Sequence, residues 1–267
     1  MQVLVDEVKL AVHSRGTGES VILLHGFPLT HAIWDAQCAA LATNFRVVTM
    51  DLRGSGGSGA PPGPYLVESL ASDVAGVLDA LGIECANLIG HSLGGYVALA
   101  FARMFTERVV RLALVCSRLA ADTPAQAAAR RQLATQLECE GSVEPVVDAY
   151  LSRLFAPARF DADRRLVDDV AGLIRSNSSR GLAALLHAMA QRPSSEDIAA
   201  DLAMPALVLA GEDDLVVSIE ESRAIAAAFP AGRVQVCSNS GHLPMLEAPQ
   251  ATSAALAAFL ALPVGAK

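Results

Sequence analysis

The chain has little positive charge, few aromatic residues and no long uninterrupted apolar stretch. Its 267 residues include 20 Lys and Arg against 28 Asp and Glu, which gives a net charge of −8 and a pI near 5.2. This balance argues against nucleic acid and anionic membranes as partners, because both require a basic surface. A strongly anionic substrate would need a local basic site, and none stands out in the sequence.

Membrane and export signals are also missing. Every apolar run is interrupted by a charge, Gly or Pro before it reaches membrane-spanning length. Residues 1–7 lack the basic start and long apolar core of a signal peptide. With 52% hydrophobic but only 4% aromatic residues, the composition predicts a compact globular protein with much buried aliphatic surface. We therefore expect a soluble, cytoplasmic protein, either a monomer or a homodimer.

The five cysteines form neither a CxxC pair nor any metal-ligand spacing. Because they are also odd in number and scattered, we expect reduced thiols in buried positions. They are Cys38, Cys85, Cys116, Cys139 and Cys237.

Short apolar runs alternate with amphipathic, helical runs along most of the chain. Eight runs are predicted to be strands: 3–5, 9–13, 21–24, 46–50, 86–89, 110–116, 206–210 and 233–237. Five helical patterns lie between or after them: 32–41, 68–81, 93–104, 219–229 and 248–260. Apolar strands that alternate with helices predict a mostly parallel sheet with helices on both faces, a three-layer αβα sandwich.

One stretch departs from this alternation. Residues 119–201 contain no strand-like run, only helical segments separated by Gly or Pro, and some 80 residues far exceed what a crossover needs. We expect a helical cap at 119–201 inserted into a core formed by 1–118 and 202–267. Ligands of such sheets bind at the carboxyl ends of the strands, which the cap would cover.

The sequence around Ser92 predicts a nucleophile. An apolar run at 86–89 precedes Gly-His-Ser-Leu-Gly at 90–94, and a helical run follows it. A serine on so tight a strand-to-helix turn adopts sparsely populated backbone angles and presents its hydroxyl clear of the sheet. Gly90 and Gly94 are needed because a side chain at either position would strike the neighbouring strand or helix.

A serine nucleophile needs a base and an orienting carboxylate, and both follow later in the chain. Asp213 and Asp214 share one turn after the strand at 206–210, and His242 follows the strand at 233–237. Each candidate lies just past a strand end, so the fold would bring them together on one edge of the sheet.

Five motifs together resemble those of the α/β-hydrolase family, in the family's order and nearly end to end over the core. They lie at 25–28, 51–58, 90–94, 211–214 and 241–244. The resemblance implies that Ser92 is the nucleophile, His242 the general base and acid, and Asp214, three residues after the glycine, the orienting acid. It further implies an oxyanion hole made by the backbone N–H groups of Phe27 and Leu93, and it implies no metal or other cofactor. Four other residues within the motifs are expected to support loops: His25, His91, Asp51 and Arg53.

Within the family, the residues favour a carboxylesterase. Serine at position 92 argues against the dehalogenases and epoxide hydrolases, which use aspartate there. Leu93 stands where perhydrolases and many carbon–carbon hydrolases have methionine, and the segment 119–124 with Arg130 and Arg131 resembles pimeloyl-carrier methyl-esterases. An enol-lactonase or a cofactor-free perhydrolase with the same residues stays open, as does a small-molecule receptor of the same fold.

The expected substrate is a small, largely apolar ester. The composition of the cap predicts an apolar pocket, with Trp34 either near its mouth or in the core. Five residues are predicted to contact the substrate: Trp34, Leu119, Leu137, Leu154 and Leu186.

Overall fold

The computed structural model describes residues 1–263, and a single eight-stranded sheet runs through them. Its strands are β1 (Gln2–Val5), β2 (Val8–Arg15), β3 (Ser20–Leu24), β4 (Arg46–Met50), β5 (Ala86–His91), β6 (Val109–Val115), β7 (Ala206–Gly211) and β8 (Gly232–Cys237). They lie in the order β1-β2-β4-β3-β5-β6-β7-β8. Strand β2 runs antiparallel to its neighbours β1 and β4. The other six strands, β3 to β8, are parallel to one another. The predicted mostly parallel sheet is therefore confirmed.

The central strands are continuous apolar runs because helices cover both faces of the sheet. Every residue of β3, β5 and β7 is buried. An alternating strand would have placed polar side chains against one of these helical layers.

Twelve helices accompany the sheet in the described part of the chain. They are α1 (Asp35–Leu41), α2 (Val67–Ala80), α3 (Leu93–Met104), α4 (Pro124–Glu140), α5 (Glu144–Tyr150), α6 (Pro157–Ala162), α7 (Arg164–Arg175), α8 (Ser179–Gln191), α9 (Glu196–Ala199), α10 (Ile219–Ala228), α11 (Pro244–Glu247) and α12 (Pro249–Leu260). Helix α1 packs with α11 and α12, α2 packs on α3, and α10 packs on β7 and β8. The predicted three-layer α/β fold is confirmed. None of these helices is both long and apolar enough to cross a membrane.

The chain between β6 and β7 is helical, from α4 to α9. Thr123 caps α4 through a reciprocal capping box with Gln126, and Gly141 ends the helix with a left-handed φ of 65°. Helix α4 packs along α8, and α5 packs on α7. We call residues 119–201 the cap segment, although its limits as a separate unit stay a prediction.

The five cysteines are unpaired, and their burial differs from the expectation. Cys116 and Cys237 are buried and Cys38 is partly buried, but Cys85 and Cys139 are exposed. Cys85 lies in the loop before β5, and Cys139 lies in the last turn of α4 on its outer side. The expectation of burial, which rested on the lack of pairing motifs, is therefore wrong for these two thiols.

The buried run of β3 predicts a strong dependence of stability on its side chains. Leu23 has no exposed surface. Replacing it in Leu23→Ala leaves a cavity, so the free energy of unfolding in urea should fall by about 2–5 kcal/mol. The matched variant Leu4→Ala alters a leucine on β1 that is 67% exposed, and its effect should stay within about 0.5 kcal/mol. Equal losses in the two variants would contradict this account of the core.

Candidate active site

Ser92 lies on a strained turn between β5 and α3. Its backbone angles are φ 48° and ψ −113°, a left-handed φ that residues with a side chain rarely adopt. Its N–H donates to the carbonyl oxygen of Val115 at 2.9 Å, which ties the turn to β6. The hydroxyl makes no hydrogen bond to any of residues 1–263, and it faces a cavity under the cap segment.

Two glycines allow this turn to form. A Cβ atom on Gly94 would overlap the carbonyl oxygen of Leu24 at the end of β3, and one on Gly90 would overlap the carbonyl oxygen of Gly94. The turn and the start of α3 thus lie directly against β5 and β3, as expected from the sequence.

Asp214 and His242 form a buried hydrogen-bonded pair beside the same cavity. His242 Nδ1 lies 2.9 Å from Oδ2 and 3.1 Å from Oδ1 of Asp214. Oδ1 also accepts the N–H groups of Val216 at 2.7 Å and Val217 at 3.2 Å. Burial raises the pKa of Asp214, but the imidazole and these two N–H donors outweigh burial and hold the pKa below its usual value. The carboxylate is therefore ionised at neutral pH and accepts a proton-bearing Nδ1.

The neighbouring carboxylate does not share this environment. Asp213 is exposed, and its backbone N–H donates to the carbonyl oxygen of Ser240. The structure thus brings Asp214, and not Asp213, to His242.

Two further histidines are fully buried and act through the backbone. His91 Nε2 donates to the carbonyl oxygen of His242 at 2.8 Å. His25 Nε2 accepts the N–H of Leu52 at 3.0 Å, so its Nδ1 donates to the carbonyl oxygen of Gly26 at 3.0 Å. Burial lowers the pKa of both histidines, which keeps them neutral. Both therefore support loops at the site.

Glu247 connects the histidine loop to the cap segment. Its Oε1 accepts the N–H groups of Gly241 at 2.9 Å and Leu243 at 3.2 Å, on either side of His242. Its Oε2 accepts the N–H of Ala156 in the cap segment at 2.8 Å. One buried carboxylate thus holds both parts of the chain, an interaction that the sequence analysis missed because it depends on tertiary contact alone.

Asp51 and Arg53 make structural contacts. Asp51 accepts the backbone N–H and the Nδ1 of His31, both at 2.8 Å, and the N–H of Gly57 at 2.9 Å. Burial alone would raise the pKa of Asp51, but these hydrogen bonds outweigh burial and lower the pKa to about 2. Arg53 pairs with Asp73. Neither Asp51 nor Arg53 lines the cavity.

The two backbone N–H groups predicted to form the oxyanion hole belong to the loop after β3 and to the first residue of α3. The N–H groups of Phe27 and Leu93 donate to no acceptor among residues 1–263. Phe27 lines the cavity beside Ser92 and His242. The structure shows no hydrogen bond between Ser92 Oγ and His242 within the described residues, and catalytic hydrogen bonds often form only once a substrate is bound.

One group of possible metal ligands occurs in the described part of the chain, and it includes this pair. Atoms of Cys116, Asp214 and His242 lie within 4.8 Å of one another. Burial raises the pKa of the Cys116 thiol well above its usual value, whereas a metal requires the thiolate. His242 Nδ1 is already engaged by Asp214, so these residues fit a hydrogen-bonded pair better than a metal centre.

The cavity has a volume of about 330 Å³ and lies between the strand ends and the cap segment. This size suits a small molecule. Besides Phe27, Ser92 and His242, its walls are formed by Tyr96, Arg118, Gln126, Ala129, Arg130, Gln132, Leu133, Gln136, Ala149, Tyr150, Arg153, Leu154, Met189 and Val216.

The structure corrects most of the expected substrate contacts. Only Leu154 among the five predicted residues lines the cavity. Trp34, Leu119, Leu137 and Leu186 are buried in the hydrophobic core. These side chains pack between helices and strands. This is the usual role of an apolar residue in an amphipathic helical pattern, which faces the core more often than a ligand.

The cavity is less apolar than the cap composition predicts, and it contains basic residues that did not stand out in the sequence. Three arginines line the cavity: Arg118, Arg130 and Arg153. Residues 126, 129, 130, 133 and 136 recur at intervals of three and four, so one stripe of α4 faces the cavity. This polar stripe could have been recognised from the sequence, had the inner face of the cap not been assumed to be apolar.

Comparisons with known proteins agree with this geometry. A family profile described as the alpha/beta hydrolase fold matches residues 19–249. An esterase from Thermogutta terrifontis is 35% identical, with a TM-score of 0.94 over 97% of each chain. The 3-oxoadipate enol-lactonase 2 of Acinetobacter baylyi is 29% identical over 232 residues, which cover 86% of this chain and 84% of that protein. The structure of the enol-lactonase from Burkholderia xenovorans LB400 is 27% identical, with a TM-score of 0.91 over 98% of this chain and all (100%) of the other.

A strained serine turn on a mostly parallel sheet, with an acid–histidine pair at neighbouring strand ends, defines the class of fold. The chain belongs to the α/β-hydrolase family.

The close packing of the turn predicts that Gly94 cannot be replaced. In Gly94→Ala, the new Cβ would meet backbone atoms of β3 that cannot move aside, so we expect a loss of at least about 2 kcal/mol in unfolding free energy. Gly172 on α7 has open space at the same position, and Gly172→Ala should stabilise the protein by up to about 1 kcal/mol. Thermal and urea unfolding of the two variants measures the difference in stability between them. Equal stability of the two variants would show that the turn tolerates a side chain.

Proposed function

We propose that the protein is a serine hydrolase that cleaves carboxylic esters through an acyl-enzyme on Ser92. The observation that carries the proposal is the buried Asp214–His242 pair, with a 2.9 Å hydrogen bond, on the same cavity as Ser92. A serine hydroxyl is a poor nucleophile at neutral pH unless an oriented base takes its proton. The similarity to an esterase over nearly the whole chain supports the same conclusion.

In the first half of the reaction, Ser92 Oγ attacks the ester carbonyl carbon while His242 Nε2 takes the hydroxyl proton. The N–H groups of Phe27 and Leu93 bind the developing oxyanion, and each such donor contributes roughly 3 kcal/mol in comparable enzymes. The carbon–oxygen bond to the alcohol then breaks. The alcohol leaves with the proton from His242, and the acyl group stays on Ser92.

In the second half, water replaces the alcohol. The water oxygen attacks the acyl carbon while His242 takes a proton from the water. The bond between the acyl carbon and Ser92 Oγ then breaks, and His242 returns the proton to Ser92 Oγ. Asp214 keeps Nδ1 of His242 protonated, so that Nε2 is the basic nitrogen, and it stabilises the imidazolium in both halves. Neither half of the reaction needs a metal or other cofactor.

A lactonase is the second candidate. A lactone is a cyclic ester, and the same residues would open it by the same steps. The similarity to two enol-lactonases at 29% and 27% identity favours this alternative specifically. Leu93, where perhydrolases carry methionine, makes a perhydrolase the weaker alternative. A receptor that only binds its ligand would require that Ser92 does not react.

The neighbouring aspartates provide a matched test of the proposed roles. Asp214→Asn should lower kcat on p-nitrophenyl acetate by about ten-thousand-fold, because the amide favours the wrong imidazole tautomer. Asp213→Asn makes the same chemical change one residue away on the exposed side of the turn, and it should leave kcat near that of the unmodified protein.

Two results would overturn these assignments. Equal activity of the two asparagine variants would remove Asp214 from the proposed mechanism. Turnover that persists in Ser92→Ala would rule out the acyl-enzyme, whereas turnover that Ser92→Ala abolishes excludes a purely binding role.

A direct comparison of substrates separates the esterase from the lactonase. We expect a higher kcat/KM for p-nitrophenyl acetate than for a simple neutral enol-lactone such as α-angelica lactone. The Ser92→Ala protein corrects for spontaneous opening of the lactone. A large preference for the lactone would instead establish the second candidate.

A further inference from the structure

The charge of the cavity differs in sign from that of the protein. The chain has a net charge of −8. The cavity walls, by contrast, include three arginines and neither Asp nor Glu among the described residues that line them. Since charges in a cleft with low-dielectric walls focus the field, such a cavity attracts anions even in an acidic protein.

One of the three arginines is neutralised by a neighbour. Arg118 Nε lies 2.8 Å from Glu221 Oε1, and its Nη2 donates to the carbonyl oxygen of Val216. The positive charge of the cavity therefore depends on Arg130 and Arg153.

Arg130 shares its acid partner with a second arginine. Its Nε donates to Asp122 Oδ2 at 2.5 Å, and Arg192 Nη2 lies 3.4 Å from Oδ1 of the same carboxylate. Arg192 also lies over the ring of Tyr96, with its guanidinium carbon 3.8 Å from the ring centre. Arg130 and Arg192 together carry two positive charges, and Asp122 carries one negative charge. This group of three residues therefore keeps a net positive charge at the cavity wall.

Arg130 and Arg153 both keep unpaired N–H donors that a ligand can accept. Arg130 Nη1 contacts Tyr150 Oη at 3.1 Å and Met189 Sδ at 3.4 Å, while its Nη2 has no partner among residues 1–263. Arg153 makes no hydrogen bond or ion pair to any described residue. A guanidinium group carries five N–H donors in a planar fork that matches a carboxylate.

We propose that the substrates of this protein carry a carboxylate in addition to the ester bond, and that Arg130 and Arg153 bind it. The proposal rests on the ester hydrolysis proposed above. It replaces the small, largely apolar ester expected from the sequence with an anionic monoester or lactone. The free N–H donors are satisfied by the carboxylate, and the apolar lining from Leu133, Leu154 and Met189 covers the chain between the two groups.

Two ester pairs test the proposal, because the carboxylate can lie on either side of the ester bond. Monomethyl glutarate and methyl pentanoate differ by a carboxylate or a methyl group at the end of the acyl chain. The pair 4-acetoxybutanoate and butyl acetate differs in the same way at the end of the alcohol. For at least one pair, kcat/KM measured by pH-stat should be about tenfold or more higher for the anionic ester.

Variants identify the residues responsible. Arg153→Gln and Arg130→Gln should each lower the ratio of anionic to neutral kcat/KM by about tenfold. Arg131→Gln removes the same charge from the next residue of α4, which is exposed and does not line the cavity, and should leave the ratio unchanged. If Arg130→Gln fails to fold because Asp122 loses a partner, Arg153→Gln decides the question alone.

The outcomes separate this inference from the proposed function. Turnover of the neutral esters with no preference in either pair overturns the carboxylate site and leaves the hydrolase intact. A preference that survives in the arginine variants overturns it too. If no ester is cleaved, the hydrolase proposal fails, and calorimetric binding of glutarate to the Ser92→Ala protein tests the site. Binding that Arg153→Gln weakens supports an anion site there, and absence of binding overturns it.

Discussion

The contact between the turn at Ser92 and the end of β3 is the constraint on which the site depends. With Gly94 against the carbonyl oxygen of Leu24, the helix that follows the serine begins directly beside the loop that leaves β3. That loop carries Phe27, and α3 begins at Leu93, so the two unpaired N–H groups belong to segments held in contact. A looser turn would separate the serine from this loop, whatever residues stood on either side.

Around this contact, the buried titratable side chains are held by hydrogen bonds to neighbouring groups. His25 and His91 are neutral and each fixes a loop by backbone hydrogen bonds, whereas Asp214 is charged and pairs with His242. The result is a set of four buried titratable groups in which only one histidine faces the cavity. The two neutral histidines thus add no charge beside the turn at Ser92.

The sequence predicted the core of the fold well and placed the candidate residues at the correct strand ends, because both depend on local patterns. The apolar runs of β3 and β5 and the glycines around Ser92 are visible without tertiary information, and α3 begins and ends where its pattern does. The short helices α6, α9 and α11 were not predicted, since four to six residues carry too little periodicity.

The cavity walls were predicted poorly for a different reason. Whether a helical residue faces a cavity or the core depends on which neighbour packs against it, and hydrophobicity alone does not specify this. Trp34 is fully buried in the core, whereas Arg130 on α4 faces the cavity. A long side chain with a polar end can lie in either environment, so its position follows from the spacing along α4 and not from polarity alone.

Glu247 has a mechanical consequence. Because its two oxygens hold the N–H groups on either side of His242 and the N–H of Ala156, the histidine loop and this part of the cap segment share one anchor. The position of the backbone on either side of His242 is thereby coupled to the position of the cap segment at Ala156.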